Sequence, residues 1–203
     1  MVGVVIFGGS LSRVRAHAFA CALAVGCLVL PAAAGATTLV GPTNIEATGA
    51  AQSCDPSCTL ANVALPDTVG LARSPVTGTI SRWRANIFDG NGPIRLQVLK
   101  RTHNEAGTSN DEFMALRQSG KKTVTTTGKQ SFTANRLPIR RGQFIGVVLE
   151  GGFGTHIGVG NLTGGDFIDF EPPLAPGDAA RNDSGVFPGL ANQYLLLNAT
   201  VRP

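Results

Sequence analysis

An antiparallel β-sandwich, jelly-roll-like and built as a single domain behind an N-terminal signal peptide, is the fold class this sequence predicts. Three observations predict it. Short apolar runs recur with turn residues between them about every 8–12 positions. No helical stripe longer than two turns occurs. Gly 26 and Pro 12 with only 15% charged residues fit a turn-rich β protein, and the repeated Val, Ile, Leu and Phe argue against disorder. The chain shows no internal period of about 20–50 residues, which argues against a solenoid or propeller.

Residues 1–36 carry the export signal. Arg13 and Arg15 form a small positive region, and Ala16 to Leu30 is almost wholly apolar. Pro31 ends that run, and Ala32-Ala33-Ala34-Gly35-Ala36 supplies the small residues a signal peptidase needs, so cleavage is expected after Ala36. The apolar run is about 15 residues, short of the roughly 20 a spanning helix needs. The mature chain is therefore expected to have no integral membrane span and to be secreted or held in the cell envelope. An uncleaved anchor helix is the alternative. Ala24-Val25-Gly26-Cys27 loosely resembles a bacterial lipobox, which makes lipidation at Cys27 a third reading. Met1 to Gly9 is apolar ahead of the positive region, an unusual order that a downstream start codon would explain.

With Arg13 and Arg15 removed and no acids lost, 17 basic residues become 15 against 13 acidic ones. The basic residues are scattered, apart from Lys121-Lys122 and Arg140-Arg141, so no nucleic-acid-binding stripe is expected. A mature length of about 167 residues suits one domain with its own core. It divides into residues 37–58, an N-terminal segment with a small disulfide loop, and residues 59–203, the sandwich.

Cys54 and Cys58 remain after the signal is lost, as Cys-Asp-Pro-Ser-Cys. An even pair in an exported chain reads as a disulfide, worth about 2 kcal/mol for so small a loop. A redox pair or half a metal site are the alternatives. Redox motifs prefer two intervening residues, and no Cys/His cluster lies nearby in the sequence.

The elements follow in order. Thr37 to Ser53 reads as a loose strand or linker, and Thr59–Leu65 as the first strand of the sandwich. Thr77–Phe88 places Trp83, Ala85 and Ile87 on one face and Arg82, Arg84 and Asn86 on the other, the alternation of a half-buried strand. Asp89-Gly90-Asn91-Gly92-Pro93 is a turn signal, and Ile94–Lys100 returns with Ile94, Leu96 and Val98 on one face. The two are expected to form an antiparallel hairpin. Thr102–Asp111 is a polar loop. Glu112–Gln118, Thr123–Thr127 and Ser131–Ala134 are short strands. Phe144–Leu149, apolar on both faces, suits a central buried strand. His156–Val159 and Phe167–Phe170 follow. Pro172 to Gly189 reads as a long surface loop. Tyr194–Val201 closes the chain with Leu195, Leu197, Ala199 and Val201 on one face.

Three segments carry a resemblance: Gly78-Thr-Ile-Ser-Arg-Trp-Arg84 followed by Gly92-Pro-Ile-Arg-Leu-Gln-Val-Leu99, then Arg136-Leu-Pro-Ile-Arg-Arg-Gly-Gln-Phe-Ile-Gly146, then Tyr194-Leu-Leu-Leu-Asn-Ala-Thr-Val201. Together, over roughly residues 60–203, they resemble a group of uncharacterised exported β-sandwich domains from actinobacteria. That resemblance implies the fold and brings no activity. Some members continue into Asp-rich calcium-binding repeats, and this sequence ends at Pro203 before any such repeat.

Trp83 and Tyr194 are the only Trp and Tyr. Exposed, either ring could stack on a sugar as a ligand contact. Trp83 shares its face with Ala85 and Ile87, which favours the core. Asp166, Asp169 and Glu171, with Glu150, form the densest acidic region. They are weak calcium candidates, since oxygen ligands suit calcium, or else a solvated face. The same carboxylates would be the acid–base pair of a glycoside hydrolase if two of them faced one cleft. His103 and His156 are the mature histidines. Gly151-Gly-Phe-Gly-Thr-His-Ile-Gly158 lacks the Gly-Lys-Ser/Thr ending of a phosphate loop, and no Gly-x-Ser-x-Gly elbow occurs. Three Asn-x-Ser/Thr sites, at Asn161, Asn182 and Asn198, mean little in a bacterial chain. No catalytic constellation and no cofactor is expected. The expected function is a non-catalytic secreted or cell-envelope module for binding or attachment, with an envelope polysaccharide or protein as partner. A carbohydrate-binding module and a secreted hydrolase are the alternatives. The two long loops are the expected binding surfaces.

Overall fold

A computed structural model describes residues 35–46, 50–103, 111–151, 155–181 and 192–203. Residues 1–34 of the signal segment, most of the 102–111 loop and the 182–191 stretch lie outside the described residues. All regular structure among those described is β: β1 (Thr38–Pro42), β2 (Ala51–Gln52), β3 (Cys58–Ala64), β4 (Gly70–Leu71), β5 (Gly78–Gly90), β6 (Pro93–His103), β7 (Glu112–Gln118), β8 (Lys122–Thr123), β9 (Gly128–Ile139), β10 (Phe144–Leu149), β11 (Thr155–Asn161), β12 (Asp166–Phe170), β13 (Ala179–Arg181), β14 (Gln193–Leu195) and β15 (Leu197–Arg202).

The strands form two antiparallel sheets. One has eight strands, ordered β14-β11-β5-β15-β1-β4, with β9 beside β5 and β2 beside β11. The other has seven, ordered β12-β3-β10-β6-β7-β13, with β8 beside β6. The predicted sandwich is the observed fold. β10 lies between β3 and β6 with all six residues buried, the central strand its two apolar faces predict. The N-terminal segment is no loose linker, because β1 pairs with β15 and β2 with β11.

The expected hairpin of β5 and β6 does not form. β5 pairs with β9, β11 and β15, while β6 pairs with β10, β7 and β8. The turn at 89–93 is an arch between the sheets. Trp83, Ala85 and Ile87 on one side meet Ile94, Leu96 and Val98 on the other within one central core. Period-2 alternation is the same for two strands side by side and two strands face to face, so the pattern could not separate them. Gly90 takes a left-handed φ of 105°, and the Gly92 amide donates to Thr155 Oγ1 at 2.7 Å, tying the arch to β11.

Other differences have local causes. The strand expected at 131–134 runs from Gly128 to Ile139. Asn135 and Arg136, both at positive φ, bulge the chain and move the buried positions from Phe132 and Ala134 to Leu137 and Ile139. That parity change hid the second half of the strand. The strand expected at 123–127 shrinks to Lys122–Thr123, though Val124 still enters the core. The last strand is interrupted at Leu196, where the chain passes from pairing with β11 to pairing with β5. Leu195, Leu197, Ala199 and Val201 all enter the central core as the pattern predicts.

The stretch after Pro172 is not a free loop in its described part. Leu174 is buried with Phe113, Phe144 and Phe170 on the outer face of the seven-stranded sheet. Its carbonyl accepts from Gln97 Nε2 at 2.7 Å, and its amide donates to Thr59 Oγ1 at 3.1 Å. Ala179–Arg181 then adds β13 to β7.

Asn62 closes one end of the sandwich. Its amide group donates to the Leu195 carbonyl at 3.0 Å, and its Oδ1 accepts from the Leu195 amide at 2.7 Å, joining β3 of one sheet to β14 of the other. Asn62→Ala leaves both backbone groups buried and unpaired, with an expected cost of about 3 kcal/mol. A drop in Tm of roughly 6–12 °C is expected by circular dichroism. An unchanged Tm would mean that water replaces the clamp.

Candidate functional site

Among the described residues, one group of His, Cys, Asp or Glu side chains close enough to hold a metal ion gathers where β12 runs beside β3. The register sets Asp169 opposite Leu60 and Phe170 opposite Thr59. Asp169 therefore shares the inward face of Leu60, and Cys58 lies two residues along β3 on that face. Cys58 is joined to Cys54 by a disulfide with Cα atoms 5.5 Å apart, the pairing expected from the sequence. The ligating atoms of Cys54, Cys58, Asp169 and Glu171 all lie within 4.8 Å of one another. The two cysteines are buried, Asp169 is half-buried and Glu171 is exposed.

Both carboxylate oxygens of Asp169 are shielded from solvent, and neither has a hydrogen-bond partner. Burial, and secondly the Glu171 carboxylate beside it, push its pKa up to about 7. The Phe170 amide pulls weakly the other way without reaching hydrogen-bond geometry. Asp169 thus holds a proton well above the ordinary range of an aspartate.

Of the expected acidic group, only Asp169 and Glu171 come together. Asp166 stands at the exposed start of β12, in the field of Asp111 and Arg101. Those two pair at 3.1 Å. Glu150 binds Arg95 at 2.6 Å and Lys121 at 2.5 Å. Burial pushes the Glu150 carboxyl up, yet Lys121 and Arg95 together hold it below its ordinary value. The carboxylates thus sit in three separate environments, Asp166 and Glu150 each apart from the Asp169–Glu171 pair. His156, half-buried, stands opposite Asp89 across β11 and β5, and His103 stands opposite Glu112 across β6 and β7.

Neither aromatic ring is a ligand platform. Trp83 is fully buried and stacks on Phe132 with centroids 4.4 Å apart. Tyr194 is buried with Ile45 and Leu196. It lies over Gly160, its cross-strand partner, where a Cβ would stand 2.4 Å from the ring carbon Cζ. Gly160 makes room for the ring, and the ring covers the gap. The exposure a sugar-stacking site needs is absent from both.

One surface the sequence did not single out is the outer face of the eight-stranded sheet. Cross-strand pairing sets Arg82 beside Thr200, Arg84 beside Asn198 and Ser131, and Lys129 beside Asn86, all on that face. Arg202 continues it two residues beyond Thr200. Arg82 and Arg84 lie about 7 Å apart along the strand. Among the described residues, Arg82, Arg84 and Arg202 have no carboxylate partner, whereas Lys129 pairs with Glu46 and holds that carboxyl below its ordinary value. A polar depression of 290 Å³ opens here, lined by Thr43, Glu46, Arg84, Lys129 and Asn198 among others. The Arg82/Arg84 alternation was legible in the sequence. Their company with Lys129 and Arg202 was not, because those residues come from strands far away in the chain.

The described residues include no helix long and apolar enough to cross a membrane. No family model, no curated protein and no solved structure matches this chain.

Proposed function

We propose that this protein is a non-catalytic, exported binding module whose working surface is the outer face of the eight-stranded sheet, and that it takes a polyanionic polysaccharide of the cell envelope. The observation that carries this reading is the contrast between the two outer faces. That of the seven-stranded sheet is apolar and covered by Leu174 and its strap. On the eight-stranded sheet Tyr194 and Leu196 are covered around Ile45, and beside them the face presents Arg82, Arg84, Lys129 and Arg202 amid Ser and Thr. Hydroxyl groups between spaced cations suit a hydrated, charged glycan chain lying on the sheet. Trp83 and Tyr194 are buried, which moves the recognition from ring stacking to ion pairing. Export is supported by the signal-like order of residues 1–36 and by the Cys54–Cys58 disulfide.

The test is retention of the purified protein on immobilised polygalacturonate, with a neutral galactan and double-stranded DNA as controls. Retention on the polyuronate is expected to fall steeply with salt. The double variant Arg82→Gln/Arg84→Gln is expected to weaken it about tenfold, in line with two exposed ion pairs. Equal retention on the neutral polymer, stronger retention on DNA, or indifference to the double substitution would sink the reading.

A further inference from the structure

We propose that Cys54, Cys58, Asp169 and Glu171 form a redox-gated site for a thiophilic divalent cation of the zinc class, shut while the disulfide stands and opened when a small-molecule dithiol reduces it. The site is independent of the sheet face described above.

Geometry supports it first. Two sulfurs and two carboxylates from separate segments, the Cys54–Cys58 loop and the end of β12, bring their ligating atoms within 4.8 Å of one another. The cysteines are separated by three residues, inside the two-to-four spacing of zinc-binding pairs, and two sulfurs with two oxygens complete a tetrahedral set. Calcium fits poorly, because it takes six to eight oxygens and two carboxylates cannot supply them.

The unpartnered oxygens of Asp169 are a second, independent observation. Buried polar atoms without a hydrogen bond are rare and call for a proton or an ion. A cation held by both thiolates would satisfy at least one of these oxygens directly. The exposure gradient supplies a route, from exposed Glu171 through half-buried Asp169 to the buried sulfurs.

The chemistry balances. The dithiol loses two S–H bonds and closes its own disulfide, while the Cys54–Cys58 bond breaks and two thiols form. The cation then displaces both thiol protons, forming two metal–sulfur bonds, and the carboxylates complete the shell. A sulfur bonded to its partner cannot supply a thiolate, so disulfide and metal exclude each other.

Co(II) is the probe. The purified chain is reduced with a dithiol, freed of reductant without air, and titrated; the air-oxidised chain is titrated in parallel. The reduced protein is expected to bind one equivalent with a thiolate-to-cobalt charge-transfer band, and the oxidised protein to show none. Asp169→Asn and Glu171→Gln are each expected to weaken binding at least tenfold. Both substitutions keep the shape of the side chain, and Glu171 is exposed, so both variants are expected to fold. Three results would overturn the site: no band in reduced protein that keeps its far-ultraviolet spectrum, an equal band in the oxidised protein, or unchanged affinity in the carboxylate variants.

Discussion

Trp83→Ala is expected to lower stability by about 4 kcal/mol, because it removes the largest side chain of the central core and leaves a cavity between two sheets that cannot close on it. Trp83 is wholly buried, pairs across the sheet with Ala199 and Phe132, and stacks on the Phe132 ring. The conservative variant Trp83→Phe is expected to cost much less than the alanine variant. It keeps most of the apolar volume and also removes the indole N–H, which is buried here without an acceptor. Urea denaturation of both variants, followed by far-ultraviolet circular dichroism, checks the pair. In the parent protein the single Trp offers a second probe, with emission that shifts to the red as the core opens. Were Trp83→Ala to cost under about 1 kcal/mol, the ring would have to be at the surface, and the sugar-stacking reading would return.

The second large effect concerns pH. The folded carboxyl of Asp169 keeps its proton up to about pH 7, whereas an ordinary aspartate releases it near 3.8. Between those values the unfolded state binds fewer protons than the folded one, so this group makes stability fall as pH rises. Below the window both states are protonated and the cost vanishes; above it both are ionised and the cost is constant. Asp169→Asn keeps the shape and removes the charge. It is expected to abolish this part of the slope and to raise stability at pH 8 by on the order of 2 kcal/mol, water at the sheet edge trimming the full effect. Denaturation curves for parent and variant at several values between pH 4 and 8 give the answer. Parallel curves at all pH values would mean that the Asp169 oxygens are hydrated. β12 ends the strand order of its sheet, and an inward acid on an edge strand is one device that guards such an edge against pairing with another chain.

Sequence alone determined the composition of the layers. The two-residue periodicity of Thr77–Phe88, Ile94–Lys100 and Tyr194–Val201 reports which side chains leave water, and that depends only on neighbours along the strand. Trp83, Leu96 and Val201 were therefore legible as core, and the Cys54–Cys58 pairing followed from proximity in the chain. Tertiary structure decided the partners. Whether β6 lies beside β5 or across from it is settled by β10 and β7 competing for its two edges, a contest between segments up to about fifty residues away. The bulge at Asn135 and Arg136, the strap that buries Leu174, and the meeting of Asp169 with the disulfide are decisions of the same kind. So is the grouping of Arg82 and Arg84 with Lys129 and Arg202 on one open face. Each depends on contacts between segments distant in the chain, whose entropic cost of closure is repaid only by the assembled core, and no local pattern records that balance.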